Sequence, residues 1–304
     1  MFSVTKNKVW LLLPPIVLII AGIIGLVING GFKEDIDFAG GTSMQISMGR
    51  TLSSAERDEL SGVYADAAGL DVKPIVQVTG QAFDQVVVKS LSLTEEQRDA
   101  AFNAVKEKYG LEDSAMLSAA SQAASYGNEM KRNTLLFSLI AALLMLVYIA
   151  IRFEWKKGVM AVAALAINVL VMMAVYALFA IPLSTTFIAA ILTVLGYSIN
   201  DTIVIFDRIR ENTKRAKKES ASEIADKSIW QTLNRTINTS VTTLITIVLL
   251  YFMGATAIKD FALPIIIGIL CGSYTSIFVA SPWWAAWSDI NYKAPKEKVK
   301  KAKA

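Results

Sequence analysis

Asp201 stands inside an apolar run that opens near Leu183 and closes at Phe206. A carboxylate at that depth can take up and release a proton where few other side chains can. In a membrane an ionised acid costs roughly 2.5 to 3.5 kcal/mol on insertion scales, so it normally faces other protein and has a partner. The alternative is an acid close enough to the end of the run to reach water, since Phe206 follows after five residues, about 7.5 Å of helix. Both readings stand at this point. Competing chemistry is scarce: the chain has no histidine and a single cysteine, Cys271. That removes the commonest metal ligand, the commonest base at neutral pH and any internal disulfide. No enzyme activity, cofactor or metal centre is expected. Two uncharged polar residues accompany the acid, Asn200 beside it and Asn168 in the preceding apolar run, and residues of this kind usually make hydrogen bonds between helices.

The elements that must position these residues are membrane helices. In 304 residues, 54% hydrophobic and 18% charged, with mean hydropathy +0.47, the apolar runs far exceed what a soluble core helix needs. Six spans are expected. The first runs from Trp10 to Ile28 and lacks a convincing cleavage site; Pro14 and Pro15 fall in its first turns, and Ala21, Gly22 and Gly25 offer a small packing face. Thr134 to Ile151 is the second and Val159 to Ala180 the third. The fourth carries Asn200 and Asp201. Thr236 to Phe252, the fifth, continues an amphipathic helix capped by Ser220 or Ser222. In the sixth, Phe261 to Trp287, Gly268, Gly272, Ser276 and Ala280 recur every four residues and would let another helix approach closely.

Between the first two spans the sequence changes in kind. Residues 30 to 130 hold sixteen acidic and eight basic residues, a net charge of −8, as a water-soluble domain would. A strand from Phe38 to Met48 follows a Gly40-Gly41 turn or bulge, and a helix capped by Ser53 or Ser54 runs to Ala68. Lys73 to Thr79 and Phe83 to Ser90 read as strands around a Thr79-Gly80-Gln81 turn. A second helix opens at Ser92 to Gln97, runs to Lys108 and stops at Gly110, and a last strand lies around Ala115 to Ala120. The order matches a ferredoxin-like split βαβ unit. The fold class is thus a polytopic α-helical membrane protein with an α+β ferredoxin-like extracytoplasmic domain between helices 1 and 2. Its parts are residues 1–33 (N-terminus and first span), 34–130 (outer domain), 131–290 (spans two to six) and 291–304 (lysine-rich tail).

The charge of +4 and pI near 9.0 reflect topology rather than nucleic-acid binding. Two Lys precede the first span, three basic residues fill the 152–157 turn, eight lie in the 207–235 loop and six in the tail. By the positive-inside rule these segments, with both termini, are cytoplasmic and the acidic domain is outside. Membrane lipid is then a neighbour all round; Trp155, Trp283, Trp284 and Trp287 mark the interface.

Asp37-Phe38-Ala39-Gly40-Gly41-Thr42, the long run from Gly196 through Asp201 to Asn212, Arg152-Phe153-Glu154-Trp155, and Arg235 to Leu244 together closely resemble the SecF family, membrane subunits of the SecD/SecF accessory complex of bacterial protein translocase. The resemblance covers nearly the whole chain. It implies half of a resistance-nodulation-division-type transporter in the inner membrane, using the proton motive force to promote preprotein movement. It also implies a SecD-like subunit, the SecYEG translocon, a YajC-like small membrane protein and exported preprotein as partners. The family's proton-relay residues map onto Asp201, Arg235 and Thr239. Arg235 and Thr239 are one helical turn apart, and a helix shift that changed the Asp201–Arg235 separation would change proton affinity. A snorkelling anchor remains the other reading of Arg235. Asn168 stands where many relatives carry an acid, and Asp35 where they usually carry glycine. The competing function is a half-transporter exporting small amphiphilic molecules, for which a second, related set of spans would be needed.

Overall fold

A computed structural model describes residues 2–80, 82–122, 124–216, 219–253 and 256–289; Gln81 of the expected turn and the lysine-rich tail lie outside them. Six stretches are long and apolar enough to cross a membrane: Lys8–Ile28, Gly127–Arg152, Trp155–Leu178, Thr185–Arg215, Ala221–Met253 and Ile258–Asp289. They belong to α1 (Lys8–Ile28), α5 (Ala124–Arg152), α6 (Trp155–Leu178), α7 (Thr185–Arg215), α8 (Ala221–Met253), α9 (Thr256–Thr275) and α10 (Ser281–Asp289), the last two joined by a π turn, Ser276–Ala280. Much of the expected 207–235 loop is helix, because α7 runs on to Arg215 and α8 begins at Ala221. Ser220 caps that start, its hydroxyl taking the Glu223 amide at 3.2 Å while the Glu223 carboxylate takes the Ser220 amide at 2.8 Å.

Small residues set the helix contacts. A Cβ on Gly22 would lie 2.3 Å from the Ala174 side chain, and one on Gly25 would lie 2.7 Å from the Leu178 backbone, so α1 lies directly on α6. Gly268 fits against Val194 in the same way, 2.4 Å from a built Cβ, which brings α9 onto α7. At one end of the bundle Ser3 and Thr5 donate hydrogen bonds to Asp226, Asp289 accepts the Ala221 amide at 2.9 Å, and the Trp155 and Trp287 rings meet edge to face at 4.8 Å. Those contacts gather the N-terminus, the 152–157 turn, the start of α8 and the end of α10 on one side.

The outer segment forms a short helix α2 (Ile36–Ala39), strands β1 (Gly41–Ser47), β2 (Ile75–Thr79), β3 (Gln85–Ser90) and β4 (Met116–Gln122), and helices α3 (Ser54–Ala68) and α4 (Glu95–Tyr109). All pairings are antiparallel in the order β2-β3-β1-β4. Met44, Ile46, Val86 and Val88 alternate inward and meet Leu60 and Tyr64 of α3 and Phe102 and Val105 of α4. Ser53 with Glu56 and Thr94 with Gln97 form capping boxes, and Gly69 and Gly110 end the helices in the left-handed region. The expected strand start at Phe38 is displaced to Gly41. Asp35 caps the Ile36 amide at 2.8 Å and Gly40, at φ +73°, closes the turn, so Phe38 is buried on a helical turn instead.

Candidate functional site

Helix α7 presents Val194, Ser198, Asp201, Thr202, Ile205 and Ile209 inward, at spacings of three and four residues. Asp201 is 3% exposed. The Ser273 hydroxyl of α9 faces its Oδ2 at 3.3 Å, and Ser273 Oγ lies 2.6 Å from Ser240 Oγ of α8. Ser240 in turn donates to the Thr236 carbonyl at 2.8 Å, the ordinary back-bond of a serine inside a helix. Three helices thus meet around one acid.

A second polar layer adjoins it. Asn168 of α6, fully buried, donates to Ser198 Oγ at 3.0 Å; Ser276 Oγ donates to the Ser198 carbonyl at 3.2 Å and lies 2.8 Å from Thr202 Oγ1. The glycine stripe makes this possible. A Cβ on Gly272 would stand 2.1 Å from Ser198 Oγ and 2.9 Å from Asn168 Nδ2, which no real side chain could do. Among the described residues, the buried Asn168 Oδ1 and Thr236 Oγ1 atoms have no hydrogen-bond partner, which leaves polar capacity in this layer unused.

The expected relay residues are placed less simply. Arg235 and Thr239 are exposed, and the Thr239 hydroxyl donates to the Arg235 and Thr236 carbonyls at 2.9 and 3.0 Å. Among the described residues neither hydrogen-bonds Asp201. The reason is helical phase: Thr236 and Ser240 share the inward face of α8, about 100° round from Arg235 and Thr239. Arg235 lines a cavity of about 650 Å³ with Val204, Asp207, Arg208, Arg210, Glu211, Lys214, Gln231 and Thr232, and Val204 lies one turn along α7 from Asp201. Asn200, expected as a supporting polar residue, is exposed and does not face the inner cluster around Asp201. Ser240 and Ser273 were not among the sequence candidates. The available signals were the position of Ser273 directly after Gly272 in the small-residue stripe and that of Ser240 four residues after Thr236 in a hydroxyl-rich run.

The Asp37–Thr42 motif is joined to the same helix. Asp37 Oδ2 accepts the Thr185 hydroxyl at 2.6 Å and the Thr185 amide at 3.2 Å, at the first residue of α7. The Asp35 amide donates to the Leu183 carbonyl at 2.9 Å and the Leu183 amide to the Lys33 carbonyl at 2.8 Å. Asp35 also pairs with Lys89 of β3 at 2.7 Å. Gly41 and Gly127 hold close backbone approaches, 2.3 Å from the Ser90 carbonyl oxygen and 2.6 Å from the Phe38 carbonyl oxygen for a built Cβ. Thr42 is buried, its hydroxyl accepting the Leu93 amide at 3.1 Å.

A family profile described as protein export membrane protein SecD/SecF, C-terminal, matches residues 102–289. The protein translocase subunit SecF of Alicyclobacillus acidocaldarius is 34% identical over 297 residues, which are 96% of this chain and 94% of that one. The chain belongs to the SecD/SecF family. It is a multi-pass membrane protein by that membership and by its six apolar helices. The protein translocase subunit SecDF of Thermus thermophilus is 36% identical over 270 residues, 87% of this chain but only 36% of that protein. A crystal structure of SecDF from the same organism, titled a translocon-associated membrane protein, superposes with TM-score 0.81 at 32% identity, covering 94% of this chain and 38% of that one. The SecD/SecF profile takes in α7, α8 and α9 with their polar layer.

Proposed function

We propose that the chain is the SecF-type subunit of a protein-export complex in the bacterial inner membrane, and that with a SecD-like partner it uses the proton motive force to promote preprotein movement. The observation that carries this reading is Asp201, buried where three membrane helices meet and touched by the Ser273 hydroxyl. Asp201 is the acid that binds and releases the proton. Ser273 and Ser240 order its surroundings, and Arg235, at the mouth of the cavity one turn away, supplies the charge whose distance changes when α8 moves against α7. Thr239 is the face of α8 along which that movement is read. One proton falling through 100 mV yields roughly 2.3 kcal/mol, enough to bias two arrangements of the bundle more than tenfold.

The SecD-like partner is supported by the length relation to SecDF and by what the spans leave open. Thr193, Gly196 and Asn200 on α7, and Asn238, Thr242 and Thr246 on α8, are exposed within apolar spans. Small and polar residues in such positions suit another helix better than lipid. Further partners in this reading are the SecYEG channel, a YajC-like small protein and the preprotein. Both termini are cytoplasmic and residues 34–130 form the extracytoplasmic domain, between parts 1–33 and 131–290. The βαββαβ order and the β2-β3-β1-β4 sheet support a ferredoxin-like assignment for it. Its role is binding or coupling, not catalysis.

The test is Asp201→Asn, which keeps size and removes ionisation. Export of a secreted substrate into membrane vesicles should lose its stimulation by a proton gradient while the variant still co-purifies with its SecD-like partner. Full gradient-dependent export by that variant would leave Asp201 a packing residue and refute the relay.

A further inference from the structure

The cavity between α7 and α8 contains cations in excess of what the chain itself neutralises. Of its two lining acids, Asp207 is held by Arg152 and lies 3.5 Å from Arg210, while Glu211 is paired with Arg208 at 2.5 Å and Arg215 at 2.8 Å. Four arginines thus occupy two carboxylates. Lys214 and Arg235 line the same cavity and make no ion pair among the described residues. The lining is also braced, since Gln231 accepts from Arg208 Nε at 2.7 Å and from Asn212 Nδ2 at 2.9 Å.

We infer that this cavity is a binding site for the phosphate headgroup of an anionic phospholipid. Its size, about 650 Å³, falls in the range of small-molecule sites. From Val204 to Lys214 it follows ten residues of α7, about 15 Å, reaching from the edge of the hydrocarbon into the headgroup layer. Basic pockets between helices at a cytoplasmic surface are where acidic headgroups bind. A free phosphate would use the same cations. The lipid is favoured because the cavity begins at Val204, within the apolar run of α7, and ends at Lys214, beyond it, so that a headgroup held here keeps its acyl chains at the hydrocarbon edge. Placing the cavity on the cytoplasmic side rests on the topology proposed above; the binding chemistry does not rest on the proton relay.

The experiment is native mass spectrometry of the full-length protein with its partner, loaded with phosphatidylglycerol or with phosphatidylcholine of matched chains. The native protein should retain phosphatidylglycerol and not phosphatidylcholine. Lys214→Gln should weaken retention about fivefold, the loss of one cation near a membrane surface, and Lys214→Glu should weaken it further. Asp201→Asn should retain the lipid unchanged, so that failure of the relay and failure of this site read out separately. Equal retention of both lipids, indifference to Lys214→Glu, or displacement of the lipid by millimolar inorganic phosphate would each overturn the assignment. A cysteine reporter at the exposed Ala55, labelled from outside intact cells, checks the side of the membrane independently.

Discussion

Outside the bundle, the polar side chains that close the helix ends act on backbone close to them in sequence. Ser53 and Glu56 close the start of α3, Thr94 and Gln97 close α4, and the Ser61 hydroxyl reaches the Pro74 carbonyl at 2.7 Å. Inside the bundle the equivalent groups reach across chain separations of 30 to 78 residues: Asn168 to Ser198, Ser240 to Ser273, Ser276 to Ser198. Water explains the difference. The outer domain can leave a misplaced polar group to solvent, whereas a span must satisfy each one within the protein. Glycine follows the same division, being a helix stop at Gly69 and Gly110 but a contact surface at Gly268 and Gly272. The buried Asp201 therefore depends on helix contacts, and the helix ends of the outer domain on local code.

Alanine at two helical glycines should break that symmetry of composition most visibly. Gly272→Ala forces a Cβ into Ser198 Oγ and Asn168 Nδ2 and should cost about 1 to 3 kcal/mol as α9 is pushed off α7. Gly62→Ala, within α3, meets nothing within 4 Å and removes backbone freedom from the unfolded chain, so it should stabilise by roughly 0.5 to 1 kcal/mol. Thermal unfolding of the solubilised protein measures both. Equal effects of the same sign would mean that the small-residue stripe is not a packing surface.

Legibility in the sequence follows the same line. In the outer domain the caps and stops were readable because they are short-range: Ser53 to Ala68 and Gly110 agree with the observed α3 and the end of α4. The strand boundary at Phe38 was not, because Asp35 and Gly40 make a helical turn whose other contact, Leu183, is far away in sequence. In the bundle the spans, the glycine stripe and Asp201 itself were readable from hydropathy and type. Which hydroxyl faces Asp201 was not. That depends on the rotation of α8 about its own axis, and Thr239 and Ser240 are neighbours in sequence with opposite surroundings. Asn200 and Asp201 differ in the same way.

A smaller effect should come from one of the places where the two regions are tied. Asp37→Ala removes the acceptor for the Thr185 amide and hydroxyl at the start of α7, and loss of a cap of this kind costs about 1 kcal/mol. Amide exchange should rise at Thr185 and its immediate neighbours while the β-sheet amides keep their protection. If exchange instead rises throughout the sheet, the outer domain draws its stability from the bundle and the two regions are not separable.

The smallest effect belongs to the outer domain alone and depends on pH. The Glu56 carboxylate accepts the Ser53 amide at 2.8 Å and the Ser53 hydroxyl at 2.8 Å, with Arg50 at 2.7 Å. The Ser53 backbone hydrogen bond first, then the Ser53 hydroxyl and Arg50, hold its pKa near 2, against an ordinary 4.5. Because the folded value is the depressed one, the charged cap contributes stability that is fully present above the ordinary value and is lost as pH falls towards 2. Glu56→Gln should therefore melt lower than the native protein at pH 6, and the gap should close as the pH is lowered through this window. The group is at the surface, so the shift is modest, and high salt should reduce the part due to Arg50 while leaving the Ser53 part. A gap that widened on acidification would show that the neutral acid, not the carboxylate, caps α3.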